Sequence, residues 1–260
     1  MKMLVLDHDG VIFDSLLSGL YPYYLVYKKL HPNTRIFQGQ TLTSKNFFRL
    51  IRQHKDDFNL IKRYRTFLTV QEDLATIFYL VENKIDLVDQ KKFYKLRDKF
   101  KKESAAIKEE YYHKKYDVMN EDYKFWLKIN PDYPFFTKFI RKIVKKHKVI
   151  VATGNRKERI RINYKVHKIP IKEIFDQKLG HNKVEHLKSI KKKYSVDYSD
   201  ILFIDDQVDN LIRVKRLGVK CFLNKWGHNT KDQWKLARKN GIELIDKKNF
   251  KKKIIKFMKS

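Results

Sequence analysis

Two pairs of aspartates stand where short apolar segments of the sequence end. Asp7 and Asp9 follow the first apolar segment of the chain, and Asp205 and Asp206 follow residues 201–204. Carboxylates that converge at one site repel one another unless a cation lies among them. Hard oxygen ligands with few His or Cys favour Mg²⁺ over zinc. A carboxylate beside Mg²⁺ can also act as a nucleophile and form an aspartyl-phosphate. The residue types therefore predict a Mg²⁺ site that contains a candidate nucleophile.

The segments before these polar residues have the pattern of strands in a parallel sheet. Each is a short apolar run that ends at polar or turn-forming residues, as expected of strands buried on both faces. Helical patterns lie between them, which favours βαβ units and an α/β fold. Because ligands bind at the carboxyl ends of such strands, Thr153 and Asn155 join the candidate site. The predicted strands are residues 3–6, 149–152, 201–204 and 219–223, with a weaker candidate at 175–179, and the predicted helices are residues 135–147, 183–194 and 210–217.

The part of the chain between the first strand and the remaining strands is different in pattern. Residues 44–54, 58–83 and 89–129 have long helical patterns, and no convincing strand is found among them. The sequence therefore predicts one α/β domain interrupted by an all-helical domain. The predicted boundaries are residues 1–16 and 131–260 for the α/β core and residues 17–130 for the helical insertion.

Composition excludes several classes of protein. Hydrophobic residues make up 42% of the 260 residues and aromatic residues 14%, which is too much apolar material for a disordered chain. The single cysteine, Cys221, excludes an intramolecular disulfide and a cysteine-based zinc site. The apolar runs are shorter than the roughly 20 residues of a membrane span, and Asp7 comes too early for a signal peptide. We therefore expect a cytoplasmic protein with no membrane partner.

The charge of the chain is strongly positive. Lys and Arg number 59 against 30 Asp and Glu, which gives a formal net charge of +29. One interpretation is a surface for nucleic acid or another polyanion. The alternative is a compositional bias spread over solvated helix faces. The second is favoured, because the positive residues are dispersed along the chain and 46 of them are Lys, whereas base-specific proteins use Arg more often. Weak, non-specific nucleic-acid binding is still expected from this charge.

Four segments of the sequence, in order, resemble the motifs of the haloacid dehalogenase superfamily. Residues 7–15, Asp-His-Asp-Gly-Val-Ile-Phe-Asp-Ser, resemble the first motif, D-x-D-G-V-[IL]-x-D-S. The strand that ends at Thr153 resembles the second motif, and Lys183 at the start of a helix resembles the third. Residues 203–210 resemble the fourth motif in its D-D-x-x-x-N form. The resemblance covers the predicted core, and the insertion lies where the family has its helical cap. It implies a Rossmann-like sheet with helices on both faces.

The resemblance also implies a role for each matching residue. Asp7 would be the nucleophile that attacks phosphorus, and it would bind Mg²⁺ as well. Asp9 would be the general acid and then the base that activates water, with its backbone carbonyl on the metal. Thr153 would hydrogen-bond the phosphoryl group, with Asn155 close to it. Lys183 would balance the carboxylates and bind the substrate phosphate as a point charge.

The fourth motif has two registers. If Asp205 is the main metal ligand, its partner four residues later is Asp209, and if Asp206 is the ligand, the partner is Asn210. In family members, a glycine usually follows the ligand by twelve residues, and Gly218 has this distance from Asp206. The spacing favours Asp206 as the ligand, with Asp205 contributing charge or a water-mediated contact.

The function implied is that of a Mg²⁺-dependent phosphomonoester hydrolase of the phosphoglycolate phosphatase-like branch. Its substrate would be a small organophosphate, such as a phosphoglycolate, a sugar phosphate or a nucleotide. Asp9 argues against a dehalogenase, which lacks an aspartate at that position. Two alternatives stay open: a phosphomutase of the same fold, and a basic protein that binds nucleic acid or another polyanion and has a phosphatase-like core.

Overall fold

The chain forms two compact units, which are described separately. The core unit is made of Met1–Asp14 and Asp132–Ser260, and the insertion unit is Ser15–Pro131. The computed structural model describes residues 1–68, 73–86 and 89–260.

The core unit is built on a six-stranded sheet in which every described strand pair is parallel. The strands are Met3–Leu6 (β1), Lys148–Ala152 (β2), Glu173–Phe175 (β3), Ile201–Asp205 (β4), Lys220–Asn224 (β5) and Glu243–Ile245 (β6). The strand order is β3-β2-β1-β4-β5-β6, so β1 lies between β2 and β4. Leu6 is opposite Val151 on β2 and Ile204 on β4, and the sheet register therefore aligns the ends of these three strands.

The described residues of the insertion unit form helices joined by turns and loops, with no strand among them. Its own core of buried side chains includes Tyr24, Phe78 and Trp126, all of which are fully buried. Burial of aromatic side chains on this scale gives the insertion a hydrophobic core separate from that of the sheet. The helices are Leu16–Leu30 (α1), Phe47–Gln53 (α2), Lys55–Tyr64 (α3), Leu74–Glu82 (α4), Gln90–Arg97 (α5), Lys101–Glu121 (α6) and Tyr123–Ile129 (α7).

The remaining helices belong to the core unit and cover both faces of its sheet. The helices are Pro134–Ile143 (α8), Lys157–Val166 (α9), Lys183–Tyr194 (α10), Val208–Lys215 (α11), Lys231–Lys239 (α12) and Phe250–Lys259 (α13). Side chains of a strand alternate between the two faces. On β1, Leu4 and Leu6 accordingly pack with buried residues of α8, α9 and α13, whereas Met3 and Val5 pack with residues of α10, α11 and α12.

The predicted fold class is confirmed, with differences at several elements. The weak strand predicted at 175–179 is wrong in position, because β3 ends at Phe175 and Gln177–Leu179 form a 3₁₀ turn. The helical pattern at 58–83 is interrupted: α3 ends at Tyr64, Leu68 is extended, and residues 69–72 lie outside the described part of the chain. Among the described residues, the helices are too short or too polar to cross a membrane.

Candidate active site

The turn after β1 brings the first pair of aspartates to the end of the sheet. The Asp7 N–H donates to the Ile204 carbonyl on β4 (2.9 Å), which extends the pairing of β1 and β4 by one residue. Gly10 has a φ of +72°, a conformation that glycine adopts at little cost. A Cβ at Gly10 would lie 1.9 Å from Asp206 Oδ2, which is closer than two non-bonded atoms can approach. Only glycine therefore fits between this turn and the Asp206 carboxylate.

Lys183 forms a buried ion pair with Asp7. It is the first residue of α10, and its Nζ lies 2.6 Å from Asp7 Oδ1 and donates to the Ala152 carbonyl at 2.7 Å. Burial raises the pKa of Asp7, and the Lys183 ammonium opposes that rise. Burial tends to lower the pKa of Lys183, but the charges of Asp7 and Asp205 outweigh it and raise that pKa. A buried charge is tolerated only when it is paired in this way.

Asp205 and Asp206 complete a cluster of three buried carboxylates with Asp7. One ligand atom of each residue lies within 4.8 Å of the others. Asp205 accepts hydrogen bonds from the Gln207 N–H (2.8 Å) and from Asn210 Nδ2 (2.9 Å). Burial and the nearby charge of Asp7 raise the pKa of Asp205 to about 7. The cluster therefore carries more negative charge than Lys183 balances, and its hard oxygen atoms are the donors that Mg²⁺ prefers.

The loop after β5 positions Asp206. The His228 N–H donates to Asp206 Oδ2 at 2.8 Å, and Asn229 Nδ2 donates to the Asp206 carbonyl at 3.1 Å. A Cβ at Gly227 would lie 2.3 Å from the Asp206 Cβ, so this loop can contact the aspartate only with a glycine there. Asn224, the last residue of β5, donates from Nδ2 to the Gly10 carbonyl (2.8 Å) and joins the loop to the turn after β1.

Asn155 connects the loop after β2 with Asp9. Its Nδ2 donates to Asp9 Oδ2 at 2.5 Å and to Thr153 Oγ1 at 3.2 Å. The Thr153 hydroxyl also accepts the Asn155 N–H at 3.1 Å and is fully buried. Arg159 on α9 donates from Nη1 to Asn155 Oδ1 at 3.0 Å, which fixes the orientation of the amide with its nitrogen toward Asp9. Asn155 therefore holds the Asp9 carboxylate near the Thr153 hydroxyl at the carboxyl ends of β1 and β2.

The structure places every candidate site residue at the carboxyl ends of β1, β2 and β4 or at the start of α10. One group contains Asp7, Lys183, Asp205 and Asp206, and a second joins Asp9, Thr153 and Asn155. The two groups are adjacent, because Asp7 and Asp9 follow the same strand and Lys183 contacts the carbonyl before Thr153.

The side chains of Asn210 and Asn155 make contacts that the spacing of residues did not specify. Asn210 donates to Asp205, whereas the spacing pairs it with Asp206, and the preference for Asp206 as the metal ligand stays a prediction. Asn210 lies in α11, whose first turn faces the last residue of β4. In the loop after β2, Arg156 is the N-cap of α9, and the Asn155 amide bonds to Asp9.

Several residues that support the site were not predicted from the sequence. His186 on α10 is fully buried, and its Nε2 lies within 3.2 Å of the Thr153 carbonyl and 3.1 Å of the Asp176 carbonyl. Burial and the charge of Lys183 lower the pKa of His186, which favours the neutral ring. Its contacts with the two carbonyls hold the loops after β2 and β3 against α10. Asn224 could have been found by the rule that found Thr153, since it is a polar residue at a strand end. No sequence signal marks Arg159.

Comparisons with known proteins agree with this geometry. A family model described as Acid Phosphatase matches residues 153–240, the part of the core that contains β4 and Lys183. A search of curated proteins found no match. Among solved structures, the chain is similar to a protein described as a predicted phosphatase from Clostridium acetobutylicum, with 12% identity, 98% of each chain covered and a TM-score of 0.62.

Two further solved structures are similar over most of their length. One is a haloacid dehalogenase-like hydrolase from Streptococcus pneumoniae, with 11% identity, 95% of this chain and 93% of that chain covered, and a TM-score of 0.60. The other is described as a predicted phosphoglycolate phosphatase from Haemophilus somnus, with 12% identity, 97% of each chain covered and a TM-score of 0.60. The chain therefore has the fold of the haloacid dehalogenase-like hydrolases, as its motifs predicted. The acid phosphatase model, which matches residues 153–240, supports a phosphatase.

Proposed function

We propose that this protein is a Mg²⁺-dependent phosphomonoester hydrolase that acts on a small organophosphate through an aspartyl-phosphate formed on Asp7. The observation that carries the proposal is the cluster of Asp7, Asp205 and Asp206, buried and within 4.8 Å of one another, with the Lys183 ammonium 2.6 Å from Asp7. A carboxylate that is buried, paired with a cation and placed at the ligand-binding end of a parallel sheet is suited to be a nucleophile.

The residues present fit a Mg²⁺ ion. The carboxylates of Asp7, Asp205 and Asp206 would hold it, and the resemblance adds the backbone carbonyl of Asp9. Burial, and then the charge of Asp7, raise the pKa of Asp205 and disfavour its charged form, and a divalent cation at the site would favour that form. Bound Mg²⁺ would supply charge neutralisation for the carboxylates and for the oxygens of the transferring phosphoryl group.

In the first half of the reaction, a carboxylate oxygen of Asp7 forms a bond to phosphorus and the bond from phosphorus to the ester oxygen breaks. Asp9 gives its proton to that leaving oxygen, and the alcohol departs. Asn155 keeps Asp9 in place through its 2.5 Å hydrogen bond, and Arg159 keeps Asn155 in place in turn. Such positioning accounts for much of the catalysis in phosphoryl transfer.

In the second half, Asp9 accepts a proton from a water molecule as that water attacks phosphorus. The bond from phosphorus to Asp7 breaks, inorganic phosphate is released and the Asp7 carboxylate is restored. Lys183 and the Thr153 hydroxyl would contact the phosphoryl oxygens in both halves, with Asn155 beside them. Donors held in a water-poor site stabilise developing charge without reorganising.

The helical insertion would serve as the cap that the resemblance implies. A cap that closes excludes bulk water and favours small substrates over phosphoproteins. The substrate class would then be small soluble phosphate esters, with phosphoglycolate, sugar phosphates and nucleotides as the first to test. A solved structure described as a predicted phosphoglycolate phosphatase is among the similar folds, which supports including phosphoglycolate.

The test is a panel of phosphate monoesters assayed for phosphate release with Mg²⁺ and with EDTA. The proposal expects release of inorganic phosphate from at least one small ester, with Mg²⁺ required. A hexose 1-phosphate belongs in the panel, because a phosphomutase would return an isomerised sugar phosphate instead of free phosphate. Absence of phosphate release from every ester in the panel, with the protein folded and Mg²⁺ present, would contradict the proposal.

A further inference from the structure

A groove lies between α8 and α13 on the surface of the core unit, and its lining residues are separate from those of the candidate active site. Its volume is about 450 Å³. The apolar part of its lining consists of Phe139, Ile143 and Ile255, and of these Ile255 is 40% exposed. The other lining residues are basic: Lys138, Lys142, Lys146, His147, Lys251 and Lys259.

The lining residues form two stripes. Lys138, Lys142 and Lys146 are four positions apart, with the first two on α8 and the third just beyond it. Lys251, Ile255 and Lys259 have the same spacing on α13. Residues four apart lie on one face of a helix. Each stripe spans eight residues, which is about 12 Å along a helix axis. The two helices pack side by side, since the rings of Phe139 and Phe250 are 5.3 Å apart.

The groove has no carboxylate among its lining residues. Within the described part of the chain, its five lysines form no ion pair, whereas other surface lysines of the core unit do. Lys188 pairs with Glu185, and Lys193 pairs with Glu173. Like charges four apart on a helix destabilise it slightly. This surface therefore concentrates positive charge around one exposed apolar side chain, Ile255, above the largely buried Phe139 and Ile143, and its lining contains no counter-charge.

We propose that this groove docks an acidic amphipathic helix of a partner protein. An amphipathic helix places an apolar stripe in a groove, and acidic residues on both of its flanks would meet the lysines of the two stripes. A second copy of this chain is disfavoured because it carries a net charge of +29 as well. The exposed Ile255 favours a helix over nucleic acid, whose backbone would bind the lysines and leave this apolar side chain uncovered.

The experiment measures fluorescence anisotropy with a synthetic labelled peptide and the full chain. The peptide is a helix former with leucines on one face and glutamates on both flanks, and its scrambled form is the peptide control. Lys251→Glu/Lys259→Glu should weaken binding at least about tenfold, because two favourable ion-pair contacts become repulsive. Lys252→Glu/Lys256→Glu changes the net charge equally on exposed positions of the same helix, outside the groove, and should change binding less than about threefold. Ile255→Ser should also weaken binding, whereas a purely electrostatic contact would not respond to it.

The same proteins are titrated with phosphatidylserine vesicles and with a single-stranded oligonucleotide. Equal loss of peptide binding in the two double variants would overturn the proposal, and so would equal binding of the scrambled peptide. Tighter binding of vesicles or oligonucleotide, lost in Lys251→Glu/Lys259→Glu and kept in Lys252→Glu/Lys256→Glu, would assign the groove to that ligand instead. Phosphate release is recorded for each variant and should stay unchanged, which separates this result from a failure of the proposed enzyme activity.

Discussion

At the scale of single residues, the proposed chemistry depends on the pairing of Asp7 with Lys183. The two side chains are only 11% and 6% exposed, respectively, and their charged atoms are 2.6 Å apart. Removing one charge of a buried pair leaves the other charge without its partner. A substitution that tests catalysis must therefore keep the shape of the side chain and its hydrogen bond. Asn in place of Asp7 satisfies this condition, because its amide oxygen can still accept from the lysine.

The Asp7→Asn protein should fold and lose its phosphatase activity. Asn is a poor nucleophile and a poorer Mg²⁺ ligand, so kcat should fall by at least about a hundredfold, or about 3 kcal/mol in transition-state stabilisation. Because the carboxylate of Asp205 also acts on the Lys183 ammonium and the Asn oxygen can still accept from it, the Tm in EDTA should stay near that of the wild type. Asp200→Asn, which changes an aspartate paired with the N-terminus, is the matched control and should keep full activity. A kcat within a hundredfold of wild type would show that Asp7 is not the nucleophile.

Asp205 should make the metal-free protein less stable as the pH rises. Its pKa is raised from 3.8 to about 7 in the folded state. The unfolded chain releases this proton near pH 4, and the folded chain keeps it until about pH 7. The stability contributed by Asp205 is therefore fully present below pH 4 and lost as the pH rises to 7. In EDTA, thermal unfolding of Asp205→Asn should show a smaller decline in Tm between pH 5 and 7 than the wild type. A decline of equal size in both proteins would contradict the assignment.

At the scale of elements, the site is formed by the ends of parallel strands, and this is the part that the sequence could predict. A short apolar run that ends at Asp7 or at Thr153 predicts both a buried strand and a polar residue at its carboxyl end. The register of β1 with β2 and β4 then brings these residues together. Edge elements carried less information: β6 has only three residues, Glu243–Ile245, and was missed because it is too short for a pattern.

The supporting contacts could not be predicted because they join distant parts of the chain. The His228 N–H reaches Asp206 across a loop, and Asn224 reaches the Gly10 carbonyl, 214 residues away in the sequence. Neither contact follows from the spacing of residues. Close packing around Asp206 imposes both contacts. A Cβ at Gly10 would lie 1.9 Å from Asp206 Oδ2, and a Cβ at Gly227 would lie 2.3 Å from the Asp206 Cβ, so only glycine fits at these positions. The same holds for the two registers of the fourth motif, Asp205 with Asp209 and Asp206 with Asn210, because only tertiary contacts distinguish them.

Mg²⁺ should stabilise the folded protein through Asp206 more than through Asp209. A ligand that binds only the folded state, at a hundred times its Kd, adds about 2.7 kcal/mol, or a rise in Tm of about 5 °C or more for a chain of this size. Asp206→Ala should abolish this rise, because the residue is buried within the carboxylate cluster. Asp209→Ala should reduce it slightly, since Asp209 lies outside that cluster, in the first turn of α11. Differential scanning fluorimetry with and without Mg²⁺ measures both. The opposite order would support the other register.

At the scale of the whole molecule, the net charge of +29 should produce weak nucleic-acid binding that is unrelated to catalysis. Such binding depends on counterion release and falls steeply with salt. Labelled single- and double-stranded oligonucleotides should bind alike at low salt and weakly at about 150 mM salt, and added RNA should leave hydrolysis of a small ester unchanged. Submicromolar binding of one kind of nucleic acid that resists salt would instead favour a polyanion-binding protein.

The central claim, that Asp7 carries the phosphoryl group, is tested most directly by trapping it there. In Asp9→Asn, an ester with a good leaving group such as p-nitrophenyl phosphate needs no proton from Asp9 for the first step, whereas the second step lacks its base. Intact-protein mass spectrometry with Mg²⁺ should therefore show the addition of one phosphoryl group, located by peptide mapping to Asp7 and removed by hydroxylamine. The Asp7→Asn/Asp9→Asn protein should show no addition. A phosphoryl group on any other residue, or its persistence in the double variant, would contradict the account.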